Sequence, residues 1–311
     1  MNTSSNNNTT NNTTNNTTNN MTTLNIKITE IFEDEEKSSL PSLPLVGILG
    51  HGEIGSSLHK VYDLVNYENL VIRDPFQNIN NSLSKCDMIN VCIPFFGYDK
   101  FVQALKDLKL KDGCIIIIQS TIGLGTTDKV QEDIPKCVCV QSPVRGVHPY
   151  LSEGMLTFEK YMGVSERYFE NKEVTKYIKY HLESLNMKPV MCRAKESELA
   201  KMVSTTLYGI NIAAINDVAN LCEEYKVDFG TVFTRWQTDY NEGYRKLGKA
   251  NVCRPVLTPI PKNDDGDKII GGHCVIPNSV ILQNMGEKNL SSFVLRYSDK
   301  KSQVHQTGAK H

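Results

Sequence analysis

Three stretches of this sequence carry residues whose types and spacing could do chemistry: GHGEIG at 50–55, ELAK ending at Lys201, and GGHC ending at Cys274. The first has G-x-G-x-x-G spacing, follows the apolar run LPLVGIL, and leads into the helical pattern SSLHKVYDLV. In that setting Gly50 permits a tight turn, Gly52 lets a pyrophosphate approach the backbone, and Gly55 lets helix and strand pack closely. A phosphate then meets a helix N-terminus. Glu53 and Ile54, between the glycines, are candidate cofactor contacts with them. A second apolar run, NLVIRDP, ends in Asp74, 24 residues after Gly50, near the distance of about 20 at which an acidic residue reaches an adenosine ribose. That carboxylate favours NAD by repelling the extra phosphate of NADP, while Arg73 keeps NADP open and Asp74-Pro75 could equally stop a strand. Lys201 is either a catalytic ammonium or a snorkelling helix side chain. Cys274 is a nucleophile, half of a metal site, or part of a plain loop.

These residues need a frame, and the intervening sequence supplies one. DMINVCIP, CIIIIQS and CVCVQSP read as strands apolar throughout, separated by the helical stretches YDKFVQALKDL and TTDKVQEDI. Such alternation predicts a parallel sheet covered on both faces. Ligands bind at the carboxyl ends of its strands, so the loops 93–97 with Pro94, 120–127 with Ser120, Thr121 and Thr126, and 142–149 with Arg145 should line a site. The hydroxyls of Ser120, Thr121 and Thr126 suit a cofactor or a helix cap equally. The stretch 196–225 reads as a long, largely buried helix joining two domains, with Gly209 its one breaker and Thr205 one turn beyond Lys201. The expected fold is α/β: a Rossmann-like doubly wound parallel sheet, a long interdomain helix, and a small mainly helical C-terminal part. The expected boundaries are a disordered Asn/Thr-rich tail and linker at 1–42, a dinucleotide-binding domain at 43–195, a helical substrate and dimerisation region at 196–297, and a polar tail at 298–311.

Composition narrows the function classes. With 34 basic and 35 acidic residues and 40% hydrophobic content, the chain can bury a substantial core and has no basic excess to draw it onto nucleic acid or anionic lipid. No apolar run reaches membrane-spanning length and the N-terminus lacks a secretory pattern, so a cytoplasmic protein is expected. Residues 1–23 contain only Met, Asn, Thr and Ser and cannot bury enough apolar surface to order; Met21 is a candidate start. Nine cysteines without Cys-x-x-Cys spacing read as reduced core thiols, Cys137 and Cys139 sharing one strand face, and no metal-ligand set is expected. His148 and His273 read as loop residues bonded to backbone, and Trp236, Tyr240 and Tyr244 as packing between helices.

GILGHGEIG, DMINVCIP, QSTIGLGTTDKV, ELAKMVSTTLYGINIAAINDVANLCEE and GGHC follow one another in the order found in the UDP-glucose/GDP-mannose dehydrogenase family. The resemblance covers about residues 45–280. It implies NAD-dependent oxidation of a sugar alcohol carbon by hydride transfer, with Cys274 capturing an intermediate aldehyde as a thiohemiacetal. It also implies that Lys201 stabilises an alkoxide or moves its proton, and that Arg254 resembles a substrate-binding arginine. Arg145 and Glu153 fall in the substrate-side loop region, and the 196–225 helix would pair two copies into a homodimer. The chain departs from the pattern at Thr205 for an asparagine, Val144 for a loop glutamate, and Asn278 for an aspartate. The family's C-terminal nucleotide-sugar domain has no counterpart in the 37 residues after Cys274. The expectation is an NAD-dependent dehydrogenase of a sugar or sugar-nucleotide alcohol. The alternatives are a hydroxyacid or sugar dehydrogenase that uses Lys201 without Cys274, and a catalytically degenerate dinucleotide-binding protein.

Overall fold

The computed structural model describes residues 43–271 and 274–299; the N-terminal tract with Met21, most of the polar tail, Gly272 and His273 lie outside the described residues. Strands β1 (Val46–Leu49), β2 (Leu70–Asp74), β3 (Ile79–Asn80), β4 (Met88–Val91), β5 (Ile115–Ile118), β6 (Val138–Gln141), β7 (Glu159–Val164) and β8 (Lys188–Arg193) form one sheet in the order β3-β2-β1-β4-β5-β6-β7-β8. Strands β2, β1, β4, β5 and β6 pair in parallel. This parallel core is flanked by two antiparallel pairings, β3 with β2 and β7 with β6, and the outer strand β8 runs parallel to β7. The chain runs outward from β1 to β2 and returns to β4 on the other side, so the loops after β1 and β4 flank a topological switch point, where open α/β sheets bind ligands.

Helices α1 (Glu53–Leu64), α2 (Tyr98–Lys106), α3 (Thr126–Asp133), α4 (Leu151–Thr157) and α5 (Lys172–Ser184) cover this sheet. The period of two along each strand divides the core. Ile115 and Ile117 pack with Val46, Ile48, Leu58 and Val61 on one face, and Ile116 and Ile118 with Ile89, Val91, Phe101 and Leu105 on the other. Runs that alternate without a polar position are therefore satisfied on both sides, each isoleucine contributing about 1.5–3 kcal/mol. Cys137 and Cys139 lie together in the second of these cores, where burial raises the Cys137 thiol to about 12. All nine cysteines are free.

Helix α6 (Ala194–Tyr225) follows β8 directly, and the chain divides into two compact units between Leu199 and Ala200, within it. In the second unit α6 is followed by a π-helical turn at Gly230–Arg235, α7 (Trp236–Lys246), α8 (Val275–Asn284) and α9 (Asn289–Leu295). The helix is not buried all round: Met202, Thr206, Ala213, Asn216 and Ala219 form a covered stripe, while Leu207, Tyr208, Leu221 and Tyr225 are exposed. Nor does Gly209 break it. A Cβ there would lie 2.5 Å from a Val275 methyl and 3.0 Å from one of Val294, so the missing side chain lets α8 and α9 sit close. Trp236 and Tyr240 are exposed rather than packed between helices. Among the described residues no helix is long and apolar enough to cross a membrane.

Candidate functional site

The first unit offers a phosphate cradle at the switch point. Gly50 has φ +88°, a conformation that favours glycine, and its N–H bonds the Arg73 carbonyl at 2.8 Å. A Cβ on Gly55 would lie 1.9 Å from the Gly50 oxygen, so only glycine lets α1 start this close to β1. Gly52 has open space where a side chain would stand and begins α1 without a side-chain cap. An uncapped helix N-terminus behind an open glycine presents free N–H groups and the positive end of the dipole, the donor set a pyrophosphate needs. Glu53 in the first turn pairs with His148 of the 142–149 loop; Ile54 packs toward the core.

Asp74 is 7% exposed. It accepts from the His51 N–H at 2.7 Å, the Phe76 N–H at 3.0 Å and the Gln77 amide at 3.3 Å. The carboxylate both caps its own turn and braces the glycine loop. Arg73 turns away, donating to the Asn81 carbonyl at 3.0 Å. Pro94 is exposed in the loop after β4. Ser120 is buried and donates to the Ile93 carbonyl at 2.5 Å, joining the loops after β4 and β5; Thr121 and Thr126 are half-buried beside it.

Sequence reasoning missed what holds the 120–127 loop. Glu198, 1% exposed in the first turns of α6, accepts from the Gly125 N–H at 2.6 Å and from the Thr127 N–H and hydroxyl at 2.8 and 2.6 Å. Burial raises its carboxyl above the ordinary value, against the opposing pull of these bonds. A glutamate three residues before a lysine reads as solvated surface, and no local signal marks it otherwise.

A second unforeseen feature lies in the sheet beneath these loops. Lys160, 4% exposed, donates to the Ser142 carbonyl at 3.0 Å and to Gln119 Oε1 at 2.7 Å. Gln119 donates to Asn90 Oδ1 at 2.8 Å, and Asn90 to the Tyr62 oxygen at 3.2 Å. The Tyr62 hydroxyl and His181 Nε2 share a hydrogen bond at 3.0 Å whose direction follows the imidazole tautomer. His181 Nδ1 has no hydrogen-bond partner. Burial lowers His181 to about 4.

The substrate-side candidates are spread out. Arg145 is exposed and lies over the Phe158 and Tyr161 rings at 5.4 and 5.5 Å. Glu153, on α4, is also exposed, its carboxyl held below the ordinary range by its own backbone N–H and then by Ser152. Val144 is buried in the core. In the second unit Arg254 lies over Tyr240 and Tyr244 at 4.7 and 5.6 Å, with its backbone N–H and carbonyl both bonded to the buried Asn241 side chain. The Thr205 hydroxyl bonds back to the Lys201 carbonyl at 2.9 Å, whereas Thr206 is fully buried and meets the Ser279 hydroxyl of α8 at 3.3 Å. Contacts of Thr206 with Ser279 and of Gly209 with Val275 show that α8 runs antiparallel to α6. Cys274, exposed at the start of α8, is thus level with the Gly209 region, eight residues beyond Lys201 and about 12 Å along the helix axis. Asn278, 3% exposed with an unpartnered amide nitrogen, lies closer to the Lys201 level. Among the described residues no group of three or more His, Cys, Asp or Glu is placed to hold a metal ion.

Comparison with known proteins finds similarity in sequence and in fold. Residues 195–252 match the model of the UDP-glucose/GDP-mannose dehydrogenase family, central domain. A UDP-N-acetyl-D-mannosamine dehydrogenase of Methanococcus maripaludis strain C7 is 24% identical over 213 residues, which is 64% of this chain and 44% of the relative. The chain spans about half the length of the curated relatives it matches. In fold it resembles the UDP-D-ManNAc dehydrogenase of Pyrococcus horikoshii (TM-score 0.62, 16% identity, 81% of this chain and 68% of that one). It also resembles Mycobacterium tuberculosis 3-hydroxyisobutyrate dehydrogenase (TM-score 0.54, 17% identity, 81% of this chain and 91% of that one).

Proposed function

We propose, from the match of residues 195–252 to the central domain of the UDP-glucose/GDP-mannose dehydrogenase family, that this chain oxidises an alcohol of a sugar or nucleotide-sugar substrate with NAD. The observation that carries the reading is the matched segment itself, which contains Lys201 and follows a sheet with an open, uncapped phosphate cradle. The cradle of Gly50, Gly52 and the first turn of α1 fits a pyrophosphate, and Asp74, at the end of β2 and bonded to the glycine loop, is the residue for the adenosine ribose. NAD supplies the hydride acceptor when bound. Lys201 takes the part of the group that holds or removes the alcohol proton as charge develops on oxygen. The Cys274 sulfur adds to the resulting aldehyde, giving a thiohemiacetal; loss of hydride from that carbon to a second NAD would leave a thioester, which water cleaves to the acid and the free thiol.

The offset of Cys274 from Lys201 along α6 and the amide of Asn278 favour a second reading, a single two-electron oxidation that uses Lys201 without the cysteine. The bare apolar face of Leu207, Tyr208, Leu221 and Tyr225 supports a homodimer through α6, which light scattering on the purified protein tests. The functional test is to titrate NAD and NADP, then screen nucleotide sugars, sugars and hydroxy acids for NADH. Two NADH per substrate, falling to one or none in Cys274→Ser, supports the four-electron route. One NADH, indifferent to Cys274→Ser, supports the second reading, and a protein that binds neither dinucleotide sinks both.

A further inference from the structure

We infer that Glu198 is a positioning residue for the nicotinamide half of the dinucleotide, an inference that rests on the proposed dehydrogenase reading. The 120–127 loop leaves β5, on the far side of the switch point from β2 and Asp74. A doubly wound sheet binds a dinucleotide as two mononucleotide halves across that point. If Asp74 faces the adenosine ribose, the loops after β4 and β5 face the other nucleotide.

Ser120 anchors the start of that loop, but no side chain of its own caps its far end. The helix it leads into, α3, starts at Gly125 with φ +79° and no side-chain cap. Its leading N–H groups would be left without acceptors. Glu198 supplies both acceptors from over 70 residues away in sequence: one carboxylate oxygen takes the Gly125 N–H and the other takes the N–H and hydroxyl of Thr127. A negative charge at this helix start also opposes the positive end of its dipole.

Glu198 is itself seated rigidly. Ser197 donates to Gln141 of β6 at 2.5 Å, Lys195 pairs with Asp128 of α3 at 3.4 Å, and a Cβ on Gly163 of β7 would lie 2.0 Å from the Ser197 hydroxyl. Glycine there lets the first turn of α6 rest on the sheet. Lys201 follows three residues later on the same helix, about 4.5 Å along its axis. One carboxylate therefore ties the loop that faces the nicotinamide half to the helix that bears Lys201, and the loop cannot shift while Glu198 keeps its charge and both contacts.

Binding of ADP and of NAD to the full chain separates this role from a purely structural one, because ADP probes the adenosine half alone. In Glu198→Gln, one bond is replaced by an amide N–H facing the Gly125 N–H. NAD affinity should fall about tenfold or more while ADP affinity stays within about twofold. Thr127→Val, which removes the hydroxyl bond and keeps both backbone bonds, should shift NAD binding in the same direction by less and is the variant to read if Glu198→Gln does not fold. Equal losses for ADP and NAD, or NAD binding unchanged in both variants, overturn the inference. A wild-type chain that binds neither probe defeats the dinucleotide reading itself, which is a separate outcome.

Discussion

Acid should unfold this protein partly through one imidazole. His181 is 1% exposed, its Nδ1 has no partner, and burial lowers it from 6.5 to about 4. The unfolded chain takes up the proton near pH 6.5, whereas the fold resists it until about pH 4. The stabilisation is therefore fully present above pH 6.5 and is lost as pH falls through the window from 6.5 to about 4. At about 1.4 kcal/mol per pH unit, the full loss is about 3 kcal/mol, most of it reached by pH 4.5. His181→Gln keeps an acceptor for the Tyr62 hydroxyl and cannot be protonated. Urea unfolding of wild type and variant at pH 7.5 and 4.5 isolates the contribution, since carboxylates titrate alike in both proteins and cancel in the difference. The wild type should lose about 2–3 kcal/mol more than the variant over that interval. Equal losses would show that the buried imidazole is not what the acid attacks.

Gly55→Ala forces a Cβ to within 1.9 Å of the Gly50 oxygen, so the glycine loop must move; calorimetry should show NAD affinity at least about tenfold weaker and a lowered Tm. Lys160→Met leaves Gln119 Oε1 and the Ser142 carbonyl without this donor, which should cost about 2 kcal/mol or more in denaturant unfolding.

Much of the fold is legible in the sequence because its signals are local and redundant. CIIIIQS and CVCVQSP are apolar at every position, which only a sheet covered on both faces can use, and Gly55 sits where a backbone oxygen leaves no room. The antiparallel strand β7 escaped notice because TFEKYMGV carries a lysine in the middle of an apolar run. That lysine is buried because of groups brought together from the loops after β5 and β6, Gln119 and the Ser142 carbonyl, neither of them near it in sequence. Glu198 was illegible for the same reason, its partners lying over 70 residues away. The candidates read from the second half of the chain, Lys201, Thr205, Cys274 and Arg254, came from spacing and resemblance. Spacing along a chain does not reveal the antiparallel crossing that offsets Cys274 from Lys201.

The run from Lys160 through Gln119 and Asn90 to the Tyr62 oxygen has a polarity, each member donating to the next. A flipped Gln119 would set donor against donor at Lys160 and acceptor against acceptor at Asn90, and a flipped Asn90 would set donor against donor at Gln119. The orientation of both amides is decided at one end, by an ammonium that can only donate. The interior of this sheet is thus written in one direction, and a substitution at any link must be answered at its neighbours before the chain can carry it.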